Sequence, residues 1–196
     1  MSRLPGQHGF TLIEVMTVTA LLVVLAVFSL PITSRAVADV RLRGDARSVA
    51  NTVSLAKMRA TSAFSRARVF ADLSTNTFLM QVWDRTDNQW VTEGGSINLS
   101  PGVGFGFGTI DTPPPDTQPE MSQSPLCTDD AGVEIANTAC VVFNSRGIPI
   151  DDAGAPYGAN ALYITDGVGV FGTTLTATPL INLWWSPSGG ANWVKQ

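Results

Sequence analysis

Histidine is almost missing from the 196 residues: His8 is the sole example, in a short polar segment ahead of an apolar run. If that segment is removed, general-base catalysis by imidazole and His-ligated zinc are both excluded. Cysteine is nearly as scarce, for Cys127 and Cys140 are too few for a zinc cluster and enough for one bridge. There is no Ser-x-x-Lys nucleophile arrangement. A phosphate-binding glycine loop is lacking too, because the glycines of 102–108 lie among Phe and Val with no helical pattern behind them. An enzyme is therefore not expected, and neither is a cofactor or a resident metal. Cations run out after residue 68: Arg85, Arg146 and Lys195 face thirteen carboxylates, a net charge of -10 over 69–196. That acidity argues against nucleic acid as a partner of the surface as a whole.

What is present divides the chain by charge and hydropathy. Residues 33–68 hold eight Arg or Lys against Asp39 and Asp45, a net of +6, so a basic segment precedes an acidic one. At this length and 44% hydrophobic content, one globular domain with a helical extension is the economical reading. Residues 10–32 are apolar apart from a single ionisable residue, Glu14. About 23 residues of helix at ~1.5 Å each cover a hydrocarbon core, so this stretch is expected to span a membrane. Arg3 lies before it and Arg35, Arg41, Arg43 and Arg47 after it, so loop charge alone leaves its orientation ambiguous or reversed.

An ordinary secretory signal is cut after its apolar stretch, at small residues. Here the distinctive residues come first. The segment Gly9-Phe10-Thr11-Leu12-Ile13-Glu14-Val15 resembles the class III signal of type IV prepilins and type II secretion pseudopilins. The resemblance implies that 1–9 is a leader removed by a prepilin peptidase, with cleavage between Gly9 and Phe10 and methylation of the new Phe10 amine. A glycine suits the cut because a residue without Cβ lets extended backbone approach catalytic groups closely. Residues 10–32 would then be a single-pass inner-membrane helix that becomes the filament core. An acid in a lipid-facing helix is costly without a partner. The resemblance implies that Glu14 pairs with the N-terminal amine of an adjacent subunit and sets register. Pro31 matches a helix-interrupting proline of the family, although it could simply mark the membrane exit. Implied partners are membrane lipid before assembly, other pilin or pseudopilin subunits, the peptidase and an inner-membrane assembly platform. Periplasm, then a filament in the periplasm or at the cell surface, is the implied location.

Residues 33–69 are expected to continue the helix, with Ala46, Val49, Val53, Ala56, Ala60, Ala63 and Ala67 forming a small apolar stripe that faces a sheet. Arg35, Asp39 and Arg43, and likewise Arg41 and Asp45, are spaced for i, i+4 pairing. A nucleic-acid role for this basic face remains an alternative. Residues 70–196 are expected to form a β-rich domain, with strands at 69–73, 78–84, 89–92, 96–99, 103–107, 140–144, 161–165, 168–171 and 181–186. Turns are expected at Asp87-Asn88 and Ser145-Arg146-Gly147. The fold class is α+β, a long helix packed on an antiparallel sheet. Pro113, Pro114, Pro115, Pro119 and Pro125 make 112–125 an extended surface loop. Cys127 and Cys140 are expected to form a disulfide that clamps the excursion beyond it, free buried thiols being the alternative. Asp129, Asp130, Glu134, Asp151 and Asp152 could ligate calcium, but their spacing fits no defined loop and solvated acidic turns are the simpler reading.

The element order, with Val141-Val142-Phe143-Asn144-Ser145-Arg146-Gly147 and Leu162-Tyr163-Ile164-Thr165, resembles GspH/FimT-type pseudopilins and minor pilins. That resemblance implies a minor subunit near the filament tip; a major pilin is an alternative. Some members of the group bind DNA through a basic C-terminal region. Residues 184–196 depart from that pattern, since Trp184, Trp185 and Trp193 stand there with one cation, Lys195. Packing is the expected role of at least two of these tryptophans.

Overall fold

The computed structural model describes residues 9–196, with the side chains of 27–34 outside the description. The chain forms two compact units, one up to Asp39 and one from Val40 to Gln196. Helix α1, Leu12–Ser62, is the one helix among the described residues and contributes to both. No helix among them is long and apolar enough to cross a membrane. The expected span 10–32 runs into 27–34, as does Pro31, whose side chain lies outside the described residues.

Within the second unit, Leu42, Ala46, Val49, Val53, Ala56 and Ala60 alternate by four and three residues and are all buried. This spacing draws one narrow stripe along a helix. The stripe is the expected one, extended back to Leu42. Its far end differs from expectation, because α1 stops at Ser62 and strand β1, Ala67–Asp72, takes Ala67. The cause is a C-terminal cap: Phe64 adopts φ 49°, Ser65 N–H donates to Ala60 C=O at 3.2 Å, and Phe64 N–H donates to Thr61 C=O at 3.3 Å. These two reversed bonds close the last turn and end the helix. Asp45 also departs from its expected pairing with Arg41: its carboxylate accepts from Ser100 N–H at 2.7 Å and from the Ser100 hydroxyl at 3.1 Å, tying α1 to a loop.

Two five-stranded antiparallel sheets follow. In the first, β1 is central, between β2 (Thr77–Asp84) and β7 (Thr138–Phe143), with β3 (Gln89–Asn98) and β8 (Pro149–Ile150) at the edges. In the second, β4 (Gly104–Phe105), β9 (Ala161–Thr165), β10 (Gly169–Leu175), β11 (Ile181–Pro187) and β12 (Val194–Lys195) run in spatial order. A ribbon of β5 (Cys127–Thr128) and β6 (Glu134–Ile135) lies apart. Alternation of side chains puts Ala67, Val69 and Ala71 of β1 on the core face with Phe78, Val141, Leu162 and Phe171 and the α1 stripe, in one hydrophobic cluster. The fold is thus α+β, helix on antiparallel sheet. Strands expected at 89–92 and 96–99 are one strand, β3, which absorbs Gly94 at φ 80° opposite a register shift between Phe78 and Met80.

The proline-rich stretch contains no strand, yet it is bound to the protein rather than merely lying on its surface. Beyond the short β4, the Gln123 side chain accepts from Tyr163 N–H at 2.8 Å and donates to its C=O at 2.9 Å, and Ser124 N–H donates to Ala161 C=O at 2.7 Å. A side-chain amide thereby continues the edge of β9 where prolines cannot supply donors.

Candidate assembly site at the start of α1

The first turn of α1 is organised by its own sequence. Thr11 occupies the N-cap, with its hydroxyl accepting from Glu14 N–H at 3.3 Å and its carbonyl accepting from Glu14 and Val15 N–H at 3.1 and 3.2 Å. Thr11-x-x-Glu14 has the form of a capping box, and Glu14 sits where a carboxylate complements the positive end of the helix dipole. The Thr11-x-x-Glu14 spacing in the sequence is the signal for this local role. The Glu14 carboxylate has no hydrogen-bond or ion-pair partner among the described residues. With Phe10, Val15, Val18 and Thr19 it lines a shallow cleft of about 260 Å³.

The surroundings of that acid are apolar on every side of the helix. Phe10 is 84% exposed and Leu12 80%, and Ile13, Val15, Met16, Leu21, Leu22 and Leu25 are exposed as well. A helix apolar all round belongs inside protein or lipid. The two threonines in this stretch satisfy their hydroxyls within it: Thr17 donates to Glu14 C=O at 2.9 Å and Thr19 to Val15 C=O at 2.8 Å. Gly9 and Phe10 precede the helix. Among the described residues, a Cβ on Gly9 would meet nothing within 4 Å.

These residues fall inside a recognised pattern. Residues 4–30 match the model of the prokaryotic N-terminal methylation motif. The chain carries a prepilin-type N-terminal methylation motif. The motif supports the likeness to type IV pilins and pseudopilins read from residues 9–15, and with it a structural, non-enzymatic character. No curated protein matches the chain. Among solved structures, the minor pseudopilin EpsH from the type 2 secretion system of Vibrio cholerae is similar at 14% identity and a TM-score of 0.47, covering 76% of this chain and 99% of that one.

Away from the motif, the other expected residues take structural positions. Cys127 and Cys140 are bonded to each other, with Cα atoms 4.9 Å apart, joining β5 to β7 in the interior. Of the acidic residues considered for calcium, Asp129 and Asp151 cap their own turns, Asp129 accepting from Ala131 and Val133 N–H at 2.9 and 2.8 Å and Asp151 from Ala155 N–H at 2.8 Å, while Asp130 ties the ribbon to β3 by accepting from Trp90 N–H at 2.8 Å. Among the described residues no three potential ligands gather as a metal site would require. Trp185 packs on the main cluster and Trp193 on a second one around Tyr163. The Trp193 indole N–H donates to Thr112 C=O at 2.8 Å, whereas Trp184 donates to the Thr174 hydroxyl at 3.0 Å.

Proposed function

We propose that the chain is a structural subunit of a type IV pilus-class filament, either a pilus or a type II secretion pseudopilus, and that it serves as a minor, tip-proximal GspH/FimT-like component. The observation that carries this reading is a methylation motif set directly against a helix start that exposes apolar side chains and holds one carboxylate with no partner among the described residues. In this reading residues 10–32 hold the subunit in the inner membrane as a single pass, the 70–196 domain lies in the periplasm, and a peptidase cuts between Gly9 and Phe10. The freed Phe10 amine is methylated.

Assembly then moves the apolar segment from lipid into a bundle of like helices. Little apolar burial changes in that exchange, so specificity must come from a polar contact. Glu14 supplies it by accepting the N-terminal amine of an adjacent subunit, which satisfies both charges in an apolar environment. Gly9 is exposed ahead of the helix, and a residue without Cβ there suits close approach to the peptidase. Mass spectrometry of protein purified from its native membrane tests the reading. The expected N-terminus is methylated Phe10; an intact Met1, or a start well beyond Phe10, overturns it.

A further inference from the structure

Arg66 stands between α1 and β1 with its guanidinium over two indoles, Cζ lying 4.5 Å from the Trp83 ring centroid and 5.6 Å from that of Trp90. The two rings face each other across β2 and β3 and meet edge-on at 5.2 Å. Partial burial lowers the Arg66 pKa from its ordinary value, although the residue stays exposed overall. No acceptor among the described residues bonds the side chain, so its donors face solvent or a partner. Stacking occupies only the flat face of a guanidinium, so its N–H edge remains free to donate. Arg68, two residues on, is the contrast. It is buried and donates to Gln81 Oε1 at 2.7 Å and to Thr128 C=O at 2.6 Å, so its donors serve the fold.

The unused edge of Arg66 borders a cleft of about 240 Å³ shared with Arg85, Trp83, Asn144 and Ser145. Donors dominate this lining and no carboxylate belongs to it. Arg85 gives one N–H to Phe64 C=O and keeps the others. The Asn144 Oδ1 already accepts from Arg146 and Ile148 N–H at 2.9 and 3.1 Å, so its amide can offer only N–H. One of the three cations beyond residue 68 is thus placed beside Arg66, within a segment of net charge -10. Two guanidiniums in one cleft focus positive potential locally, whatever the overall sign.

We propose that this cleft binds a carboxylate presented by an acidic segment of a partner polypeptide, with Arg66 and Arg85 as the paired cations. Guanidinium forks match carboxylate geometry. Trp83 and Ile150 give the cleft an apolar wall suited to the methylenes of a glutamate. A nucleic acid fits less well, because Arg66 also borders a neighbouring cleft lined by Asp151 and Asp152. A phosphate backbone brings a charge at every nucleotide, whereas a polypeptide can place one carboxylate between the guanidiniums and neutral residues beside those aspartates. The inference rests on residues of the second unit and is independent of N-terminal processing.

The test uses the full chain in detergent micelles, titrated with an N-acetylated Gly-Glu-Gly-Glu-Gly amide, its Gln counterpart, inorganic phosphate and a short oligothymidylate, while NMR follows the arginine Nε–H and indole signals. Saturable shifts with the Glu peptide and none with the Gln peptide are expected. Affinity should fall about tenfold or more in Arg66→Gln and in Arg85→Gln, and hold in Arg146→Gln. Should Arg85→Gln disturb the Phe64 turn, Arg66→Gln and the Gln peptide decide alone. Equal behaviour of the two peptides, unchanged affinity in Arg66→Gln, or tighter binding of phosphate or oligothymidylate overturns the proposal.

Discussion

Close contact makes single atoms decisive at Gly172. Its backbone in β10 runs against the ring of Tyr163 on β9, and a Cβ placed there would lie 2.5 Å from Tyr163 Cε1. The ring cannot easily yield, because it is fully buried and its hydroxyl donates to Gln118 Oε1 at 2.8 Å. Burial also raises the Tyr163 pKa, so the phenol stays neutral and keeps that donor. Gly172→Ala should therefore destabilise by roughly 1–3 kcal/mol, the usual cost of overpacking. Gly95→Ala is the control, since a Cβ at Gly95 in β3 meets nothing within 4 Å. Urea midpoints of the two variants check this; an unshifted midpoint for Gly172→Ala would mean that the ring relaxes freely. Nothing in the sequence marks Gly172 among eighteen glycines, because the need arises across two strands.

Among the elements, the β5–β6 ribbon has the weakest means of holding itself. Two paired residues per strand cannot support a free-standing hairpin. What fixes it is the disulfide from Cys127 to β7, with Arg68 on Thr128 C=O and Trp90 N–H on Asp130 as lesser ties. Replacing both cysteines by serine should cost about 3 kcal/mol for a loop of this size. Hydrogen exchange should accelerate first in 127–135, while amides of β1, β2 and β7 stay protected; uniform acceleration would show the bridge acting on the whole domain instead. This element also marks the limit of legibility. Strands such as β2 and β9 were readable because β-branched and aromatic runs lie between turn residues, and the α1 stripe because its spacing is helical. Four of the five two-residue strands, β5, β6, β8 and β12, have no period to read, and the end of α1 hid in a left-handed Phe64 where glycine is the usual signal. The Trp83 and Trp90 pair was within reach, since the Asp87-Asn88 turn sets them opposite each other, with Asn88 at φ 51°.

For the whole molecule, the question is whether Glu14 serves its own helix or another subunit. The candidate site was legible because a motif and an apolar run coincide at residues 9–32, whereas the capping contact with Thr11 depended on reading the same residues for local structure. Both roles are compatible, and they separate on substitution. The capping bond runs from the Glu14 backbone N–H to the Thr11 hydroxyl and does not depend on the side chain at position 14, so what the carboxylate adds locally is its interaction with the helix dipole, worth about 0.3–1 kcal/mol. Pairing with an amine in an apolar bundle draws on charge, which glutamine lacks. Glu14→Gln and Glu14→Ala should therefore both leave the protein in the membrane fraction and both lower its recovery in sheared filaments or pseudopili by about tenfold or more, the scale on which removing a partner from a buried charge acts. Recovery of Glu14→Gln at the unsubstituted level would remove charge pairing from the assembly mechanism, because glutamine keeps the size and polarity of the side chain and lacks only its charge.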